Sequence, residues 1–252
     1  MPTIAEEEIP ASSVTLKEND IEDKFTAKYD DSYYSEYIEN FTPNIKRRFF
    51  YRFVKRAFDI VSSLCGMILL SPVMLGIAIA IKLDSKGPVV FKQKRVGKNG
   101  AEFNIYKFRS MTVSAPHDCA TSLLEKPEQY ITKVGGFLRK TSLDELPQLW
   151  CVFIGTMSVI GYRPLVLTEV KCNEMRRKLN VFSMRPGVSG YAQTQGRDDV
   201  HYKDKAVMDA EYVKNASLLF DLKLIFKTIS VVLKREGNDQ EKIAALEKVE
   251  EK

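Results

Sequence analysis

The longest uncharged stretch of the chain runs from Ile60 to Ile81, and Ser71-Pro72 interrupts it near its middle. As a straight helix it would measure roughly 33 Å, enough to cross a hydrocarbon core of about 30 Å. Proline removes a backbone donor and clashes with the carbonyl group four residues earlier, so we expect a kink at Pro72. The Ser71 hydroxyl could bond a carbonyl group freed there. The pattern predicts a kinked membrane helix.

The charges that flank this stretch indicate how the helix is placed. Basic residues lie on both sides of it: Lys46, Arg47, Arg48, Arg52, Lys55 and Arg56 before, and Lys82, Lys86, Lys92, Lys94 and Arg95 after. Because basic flanks favour the cytoplasmic side, a helix that bends back satisfies both flanks and a crossing helix does not. We therefore predict a re-entrant helix with both ends cytoplasmic. A single pass and a buried core helix are the alternatives.

The hydrophobic pattern divides the chain into four parts. Residues 1–44 form an acidic leader that we expect to be disordered, and residues 45–95 hold the basic-flanked membrane helix and the start of the main body. Residues 96–236 alternate strand-like pieces such as "FNIYKFRSM" with amphipathic helices such as "LPQLWCVFI". Residues 237–252 are a charged tail. The alternation predicts a helix-rich α/β fold.

The distribution of charge narrows the class of partner. Residues 1–44 carry eleven Asp or Glu and three Lys, a net charge of −8. Because the whole chain has a net charge of +5, the remaining residues carry a net charge of +13. A basic body suits lipid headgroups, nucleotides or phosphosugars. No nucleic-acid-binding motif accompanies the basic patches, so we expect no nucleic-acid partner. Four scattered cysteines and two histidines predict neither a zinc site nor a disulfide framework.

The most suggestive acidic pair is Asp144-Glu145 in "RKTSLDELPQLW". Adjacent carboxylates can hold a divalent cation, or divide the roles of nucleophile and acid/base. The alternative is structural, because Ser142-x-x-Glu145 matches a capping box and Pro147 suits a first helical turn. Both hypotheses stay open at this point, since one carboxylate could cap while the other reacts.

Basic side chains and glycines surround this pair in the sequence. Glycines let backbone amides approach an anion closely, and several guanidinium groups with carboxylates are what phosphoryl transfer needs. Ordinary surface pairs and turns are the alternative. The residues are Arg139, Lys140, Arg163, Arg185, Gly187, Gly190, Gly196 and Arg197.

Eight sequence blocks, in their order, resemble the bacterial sugar transferases, over about residues 50–236. The closer resemblance is to the small monotopic phosphoglycosyl transferases that start glycan assembly on polyprenyl phosphate. The blocks are "KRAFD" (55–59), Ser71-Pro72, "GPVVFKQKRVG" (87–97), "YKFRSM" (106–111), "SLDELPQLW" (142–150), "MSVIGYRP" (157–164), "RPGVSGYAQTQGR" (185–197) and "DAEYVKNASLLFDLKLI" (209–225).

The resemblance implies transfer of a sugar phosphate from a UDP-sugar to undecaprenyl phosphate, with release of UMP and use of Mg²⁺. By resemblance, Asp144 is the nucleophile that forms a covalent phosphosugar intermediate and a ligand of the metal, and Glu145 is its partner. Residues 96–236 would be the catalytic domain. The expected substrate- and phosphate-binding residues are Lys107, Arg139, Arg163, Arg185, Gly187 and Arg197.

The resemblance also implies a monotopic enzyme of the bacterial inner membrane, with interfacial helices among the membrane lipids and a cytoplasmic catalytic domain. Two positions depart from the family pattern, since Tyr162 stands where proline is usual and Thr156 where aspartate is usual. A membrane-anchored scaffold and a phosphotransferase for soluble substrates are the competing hypotheses. The sequence leaves open the sugar, the glycan pathway and the oligomeric state, a homodimer included.

Overall fold

The computed structural model describes residues 27–42, 49–116, 127–196 and 200–234. Its helices are α1 (Asp31–Asn40), α2 (Phe49–Asp84), α3 (Lys133–Thr141), α4 (Gln148–Ile154), α5 (Val170–Lys178), α6 (Tyr191–Gly196), α7 (Tyr202–Asn215) and α8 (Leu218–Lys234). Its strands are β1 (Val90–Val96), β2 (Glu102–Phe108), β3 (Ser158–Ile160) and β4 (Gly187–Ser189). This order confirms the helix-rich α/β prediction.

The strands form two small sheets. β1 and β2 pair antiparallel, from Val90 opposite Phe108 to Val96 opposite Glu102. The turn between them needs left-handed backbone at Asn99 and Gly100, which asparagine and glycine tolerate better than other residues. β3 and β4 pair in parallel across a long connection. The first sheet includes the end of the predicted membrane block, so the boundary expected at residue 95 falls inside β1.

Three groups of buried side chains hold the body together. The largest joins α5 and α7 to the segments around β3. A second joins the end of α2 to β2 and α3, and a third lies between β2 and α4. The turn between α3 and α4, which carries Asp144, therefore lies between two packed groups. Their members include Tyr162, Leu179, Ala210 and Tyr212 in the first, Ile77, Ile81, Phe108 and Leu138 in the second, and Ile105, Cys151, Val152 and Met157 in the third.

The predicted membrane helix is present as α2, an apolar helix of 36 residues. Its first turns bury one residue every four, from Tyr51 to Ser63, and its last turns bury Ile77 and Ile81. Between them, no side chain of residues 64–76 is buried. The buried core-helix alternative is wrong, because only 11% of the helix's most apolar 18-residue window is buried. By length and composition the helix could cross a membrane.

Both ends of α2 contact the same body. Near its start, Arg56 donates hydrogen bonds to the carbonyl oxygens of Val152 and Phe153, at 2.6 and 2.7 Å. At its end, the Asp84 carboxylate accepts a hydrogen bond from the backbone N–H of Val134 at 3.1 Å. The exposed middle of the helix thus lies between two anchored ends.

The Ser-Pro pair makes the hydrogen bond that the sequence predicts. The Ser71 hydroxyl donates a hydrogen bond of 2.7 Å to the carbonyl oxygen of Ile68. Ile68 is four residues before Pro72, so this is the carbonyl group that proline deprives of its usual helical donor. The helix assignment continues through Pro72 without a break. The re-entrant bend therefore stays a prediction.

Part of the acidic leader forms an ordered element. α1 packs on the body through Tyr34, which is buried and whose hydroxyl donates a hydrogen bond to Asp204 in α7. For residues 27–42 the expectation of disorder is wrong, because a group of tyrosines supplies apolar surface that the net charge of the leader conceals. Residues 1–26 and the predicted tail, 237–252, lie outside the described residues.

The C-terminal helix α8 is attached to α2 through one buried carboxylate. Asp221 accepts hydrogen bonds from the Tyr51 hydroxyl at 2.8 Å, the Lys55 ammonium at 2.9 Å and the Tyr212 hydroxyl at 2.7 Å. With Asp221 facing the body, α8 exposes an apolar stripe along its other side. The stripe consists of Leu219, Leu222, Phe226 and Ile229.

Candidate active site

Asp144 and Glu145 lie in a single 3₁₀ turn, Leu143–Glu145, between α3 and α4. Ser142 ends α3 in a left-handed conformation (φ 57°), and its N–H donates to the carbonyl oxygens of Leu138 and Arg139. The Ser142 side chain makes no capping hydrogen bond. The capping-box hypothesis is therefore wrong, and the Glu145 carboxylate is available for other partners.

Those partners come from two other elements. The Lys107 ammonium, at the end of β2, lies 2.8 Å from Glu145 Oε1. A guanidinium nitrogen of Arg163, just after β3, lies 3.4 Å from the same oxygen. Although burial opposes ionisation, Lys107 and Arg163 hold the pKa of Glu145 at about 2. Glu145 is therefore a permanent anion between two cations at physiological pH.

Asp144 has a different environment from its neighbour. Its side chain is buried, and burial raises the pKa of this carboxyl above 3.8. The charge of Lys107 acts against that rise, the charge of Glu145 adds to it, and Arg139 and Arg163 act against it. The two adjacent carboxyls thus have opposite pKa shifts, upward for Asp144 and downward for Glu145.

A small cleft, about 10 Å³ in volume, lies beside Glu145, and cationic side chains surround it. Three residues that the sequence predicts to bind substrate or phosphate line this cleft: Lys107, Arg163 and Gly187. Arg95 and Gln148 were not predicted, although both lie in blocks that carry the family resemblance. The lining residues are Arg95, Ile105, Lys107, Glu145, Gln148, Arg163, Pro164 and Gly187.

The other predicted residues lie elsewhere. Arg139 is in the last turn of α3, close enough to Asp144 for its charge to act on that carboxyl. Arg185 is not among the residues that line the cleft, since its Nε donates a hydrogen bond of 2.7 Å to the carbonyl oxygen of Gly155 at the end of α4. Arg197 lies outside the described residues.

The loop that carries Arg163 is fixed by close backbone contact. A Cβ atom placed on Gly161 would lie 2.5 Å from the carbonyl oxygen of Arg185, and one on Gly187 would lie 2.1 Å from the Gly161 nitrogen. Any side chain at these positions would separate the two segments. The glycines of both motifs therefore allow the parallel pairing that places Arg163 at the cleft.

A fully buried ion pair supports the same loop from below. Arg176 in α5 is paired with Asp209 in α7, and it donates a hydrogen bond of 2.9 Å to the carbonyl oxygen of Arg163. Its guanidinium carbon lies 5.4 Å from the centre of the Tyr162 ring. Sequence reasoning missed Arg176 and Asp209, because charged residues in charge-rich helices are normally solvated.

The two departures from the family pattern have structural roles. Tyr162 is fully buried and packs edge-on against Phe182 in the core. Thr156 donates a hydrogen bond of 3.1 Å to the carbonyl oxygen of Cys151 and so stabilises the end of α4. Neither side chain makes a contact with Asp144 or Glu145 that would alter the paired carboxylates.

The donor set suits one kind of metal ion. Among the described residues, no group of three or more His, Cys, Asp or Glu side chains is arranged to hold a metal. Asp144 and Glu145 supply two carboxylates, and Mg²⁺ is commonly held by one or two carboxylates with substrate phosphates completing its shell. The site therefore fits Mg²⁺ that arrives with a phosphorylated substrate.

Comparison with known proteins finds a matching family. A model described as bacterial sugar transferase matches residues 50–235. An uncharacterized sugar transferase of Haemophilus influenzae is 40% identical over 201 residues, which cover 74% of this chain and 42% of that protein. The undecaprenyl-phosphate galactose phosphotransferase of Salmonella typhimurium is 40% identical over 202 residues, with coverage of 74% and 42%.

A shorter relative matches along nearly its full length. The exopolysaccharide production protein PSS of Rhizobium leguminosarum bv. phaseoli is 40% identical over 195 residues, which cover 72% of this chain and 96% of that protein. The chain thus spans less than half the length of the first two relatives and almost all of the third. The residues that match the family model, 50–235, contain every predicted site residue.

Proposed function

The chain belongs to the bacterial sugar transferase family, and we propose that it transfers a sugar 1-phosphate from a UDP-sugar to undecaprenyl phosphate. The observation that carries this proposal is the pair of unlike carboxyls: Glu145 lines a cleft with Arg95, Lys107 and Arg163, and Asp144 precedes it in the same turn. Three cations suit a diphosphate, and the relatives include transferases named for galactose, glucose and N-acetylgalactosamine phosphates.

In the first step, an Asp144 carboxylate oxygen attacks the phosphorus that bears the sugar. A new bond forms between this oxygen and phosphorus, the bond from that phosphorus to the bridging oxygen breaks, and UMP leaves with the bonding electron pair. A covalent phosphosugar on Asp144 results. Lys107 and Arg163 lie where they would offset the charge of the diphosphate and of the departing UMP.

In the second step, a phosphate oxygen of undecaprenyl phosphate attacks the same phosphorus. The bond to Asp144 breaks, the carboxylate is regenerated, and the product is undecaprenyl-diphosphate-sugar. Glu145 stays ionised throughout, because Lys107 and Arg163 hold its pKa low. Its role is to keep these two cations in position while the phosphoryl group moves.

Asp144, with Glu145 beside it, would hold Mg²⁺. When bound, this ion would neutralise part of the negative charge on the two phosphates. The protein residues that carry the remaining charge compensation are Arg95, Lys107 and Arg163.

The placement of α2 supports a monotopic arrangement on the cytoplasmic face of the inner membrane. A helix that crosses the bilayer has its ends on opposite sides, whereas Arg56 and Asp84 both contact the same body. Basic residues flank both ends, and this favours the cytoplasmic side. The apolar stripe of α8 is suited to lie in the headgroup region. The polyprenyl acceptor and the paired carboxylates would then meet at the membrane surface.

The scaffold hypothesis explains less of the structure. A scaffold has no need of a buried carboxyl beside a cationic cleft, and such an arrangement costs stability when Asp144 ionises.

The test is UMP release from a panel of UDP-sugars, with Mg²⁺ and undecaprenyl phosphate in detergent. We expect release with at least one sugar, dependence on the lipid, and loss of activity in Asp144→Asn. Intact-protein mass spectrometry should show a sugar-phosphate adduct on the wild type and none on Asp144→Asn. Glu39→Gln, an exposed change on α1, is the control. Full activity in Asp144→Asn would overturn the covalent mechanism.

A further inference from the structure

A second group of cations lies at the end of α4, apart from the residues that line the cleft. Arg185 and Arg56 meet at Gly155. Arg185 donates a hydrogen bond to the Gly155 carbonyl oxygen. A guanidinium nitrogen of Arg56 lies 3.0 Å from the position that a Cβ atom on Gly155 would occupy. Arg52 lies one helical turn before Arg56, and Lys98 is in the turn between β1 and β2. We call Arg52, Arg56, Lys98 and Arg185 the Gly155 basic cluster.

Two members of the cluster, Lys98 and Arg185, respond to the charges of other members. Burial, together with the charges of Arg185 and Arg52, lowers the pKa of Lys98. Burial and the charges of Arg56 and Arg52 likewise lower the pKa of Arg185, while Asp59 acts in the opposite direction. These shifts agree with the contacts at Gly155, which place two guanidinium groups side by side. Such repulsion is relieved when an anion binds.

Within the described part of the chain, no ion pair neutralises the cluster. Among the residues that the structure describes, Arg52, Lys98 and Arg185 form no ion pair, and the donors of Arg56 go to backbone carbonyl oxygens. The nearby Asp59 is buried and accepts hydrogen bonds from the Ser158 hydroxyl at 3.0 Å and from the Val159 N–H at 2.9 Å. The cluster therefore has a surplus of positive charge, and the carboxylate of Asp59 beside it already accepts hydrogen bonds from other residues.

The cluster lies at the edge of exposed apolar surface. Ile154, the residue before Gly155, is half exposed, and so is Trp150 one turn earlier in α4. On α2, Phe50 and Phe53 are exposed on either side of Arg52. Tryptophan beside basic residues is typical of the level at which lipid headgroups lie. A free anion in solution would gain nothing from this apolar rim, whereas a lipid would.

We propose that the Gly155 basic cluster binds the phosphate of an anionic bilayer phospholipid such as phosphatidylglycerol. None of its four residues lines the cleft at Glu145, and the site goes beyond the transferase reaction. It rests on the proposed membrane association. Arg52, Lys98 and Arg185 would contact the phosphate, and Arg56 would hold the turn on which they converge.

The single tryptophan of the chain makes the proposal testable, because Trp150 lies next to the cluster. The full chain is placed in nanodiscs, and Trp150 quenching by brominated phosphatidylglycerol is compared with quenching by brominated phosphatidylcholine. The test variant is Arg52→Gln with Lys98→Gln. The matched control is Lys223→Gln with Lys227→Gln on α8, which removes the same charge elsewhere. Thermal unfolding midpoints verify that both variants fold.

In the wild type, we expect stronger quenching by phosphatidylglycerol. The preference for phosphatidylglycerol over phosphatidylcholine should fall about fivefold or more in the test variant, because this is the effect of losing one or more basic residues near an anionic surface. The preference should persist in the control variant. An equal fall in both variants, or no preference in the wild type, would overturn the site. Loss of the preference on adding inorganic phosphate at constant ionic strength would identify free phosphate as the ligand and overturn the phospholipid assignment. Quenching by neither lipid would contradict membrane association itself, and UMP release tests the transferase separately.

Discussion

The Lys107 ammonium lies 2.8 Å from the Glu145 carboxylate, so strand β2 and the turn after α3 meet at one ion pair. Arg163, from the loop after β3, reaches the same oxygen. Three elements that are far apart in the sequence are thus joined at the cleft by a single side chain. The pair is mostly buried, and therefore its loss should affect both the fold and the chemistry.

Lys107→Met should reduce stability by about 2 kcal/mol, because a mostly buried carboxylate loses a charged hydrogen-bond donor. UMP release should fall by at least about tenfold, since the cleft loses a cation that offsets phosphate charge. Chemical denaturation and steady-state kinetics measure the two effects. Lys94→Met is the control, because Lys94 forms an exposed pair with Glu102 that should contribute less than about 1 kcal/mol. Equal effects of both substitutions would refute the assigned role of Lys107.

Asp144→Asn should stabilise the protein at neutral pH while abolishing activity. The folded-state pKa of Asp144 is raised above 3.8, so ionisation of this group costs folding free energy once the pH exceeds the unfolded value. The gain in unfolding free energy should therefore vanish as the pH falls below about 3.8. Thermal unfolding across a pH series measures it. A variant less stable than wild type at pH 7 would contradict this account of burial.

Glu145→Gln should have the opposite effect. The folded-state pKa of Glu145 is about 2 against an ordinary value of 4.5, so its ionised form contributes stability above pH 4.5. The variant should be less stable than wild type at neutral pH, and the difference should disappear as the pH falls through about 2. Thermal unfolding across the same pH series compares Glu145→Gln with Asp144→Asn. Changes in stability of the same sign at neutral pH would refute the opposite pKa shifts assigned to the two carboxyls.

Tyr162→Phe should raise stability by about 1 kcal/mol. The Tyr162 hydroxyl is buried and has no hydrogen-bond partner among the described residues, and an unsatisfied polar group costs desolvation free energy. Tyr212→Phe is the matched comparison, because its hydroxyl donates to Asp221 and its loss should be destabilising. Denaturant titration distinguishes the two. Destabilisation of both variants to the same degree would show that an unrecognised partner bonds Tyr162.

The re-entrant placement of α2 predicts the same accessibility at its two ends. Single cysteines at residues 50 and 90, in a chain without its native cysteines, should both be protected from a membrane-impermeant label outside intact cells and both react in inverted vesicles. A helix that crosses the membrane once would place the two cysteines on opposite sides. Labelling of one cysteine in intact cells and of the other in inverted vesicles would therefore reject the bend at Pro72.

Short motifs predicted most of the residues that meet at the candidate site. Asp144-Glu145, Lys107 and Arg163 were identified in three separate motifs, and the structure brings them together. Arg176 and Asp209 were missed because their burial depends on α5 packing against α7, which no local pattern encodes. The same limit applies to Ser142, whose left-handed conformation is set by the end of α3 and removes the capping box that its spacing suggested.

Composition was a weaker guide than local pattern. The acidic leader has a net charge typical of disorder, yet Tyr34 and its aromatic neighbours dock α1 on α7. Arg95 illustrates the reverse case: its motif was recognised, but nothing in the sequence distinguishes it from the other basic residues of β1 that face solvent. Which face of a short strand meets the cleft is decided by the register of the β1–β2 hairpin.

The anchoring of both ends of α2 has a consequence for how the enzyme would respond to its membrane. In the proposed re-entrant placement, α2 would enter and leave one leaflet, held by Arg56 near one end and Asp84 at the other, and would not sense the far leaflet. The height of the reacting carboxylates above the acyl chains is then set by protein contacts rather than by bilayer thickness. Activity should accordingly be insensitive to acyl-chain length, where a spanning helix would tilt and carry its active site with it.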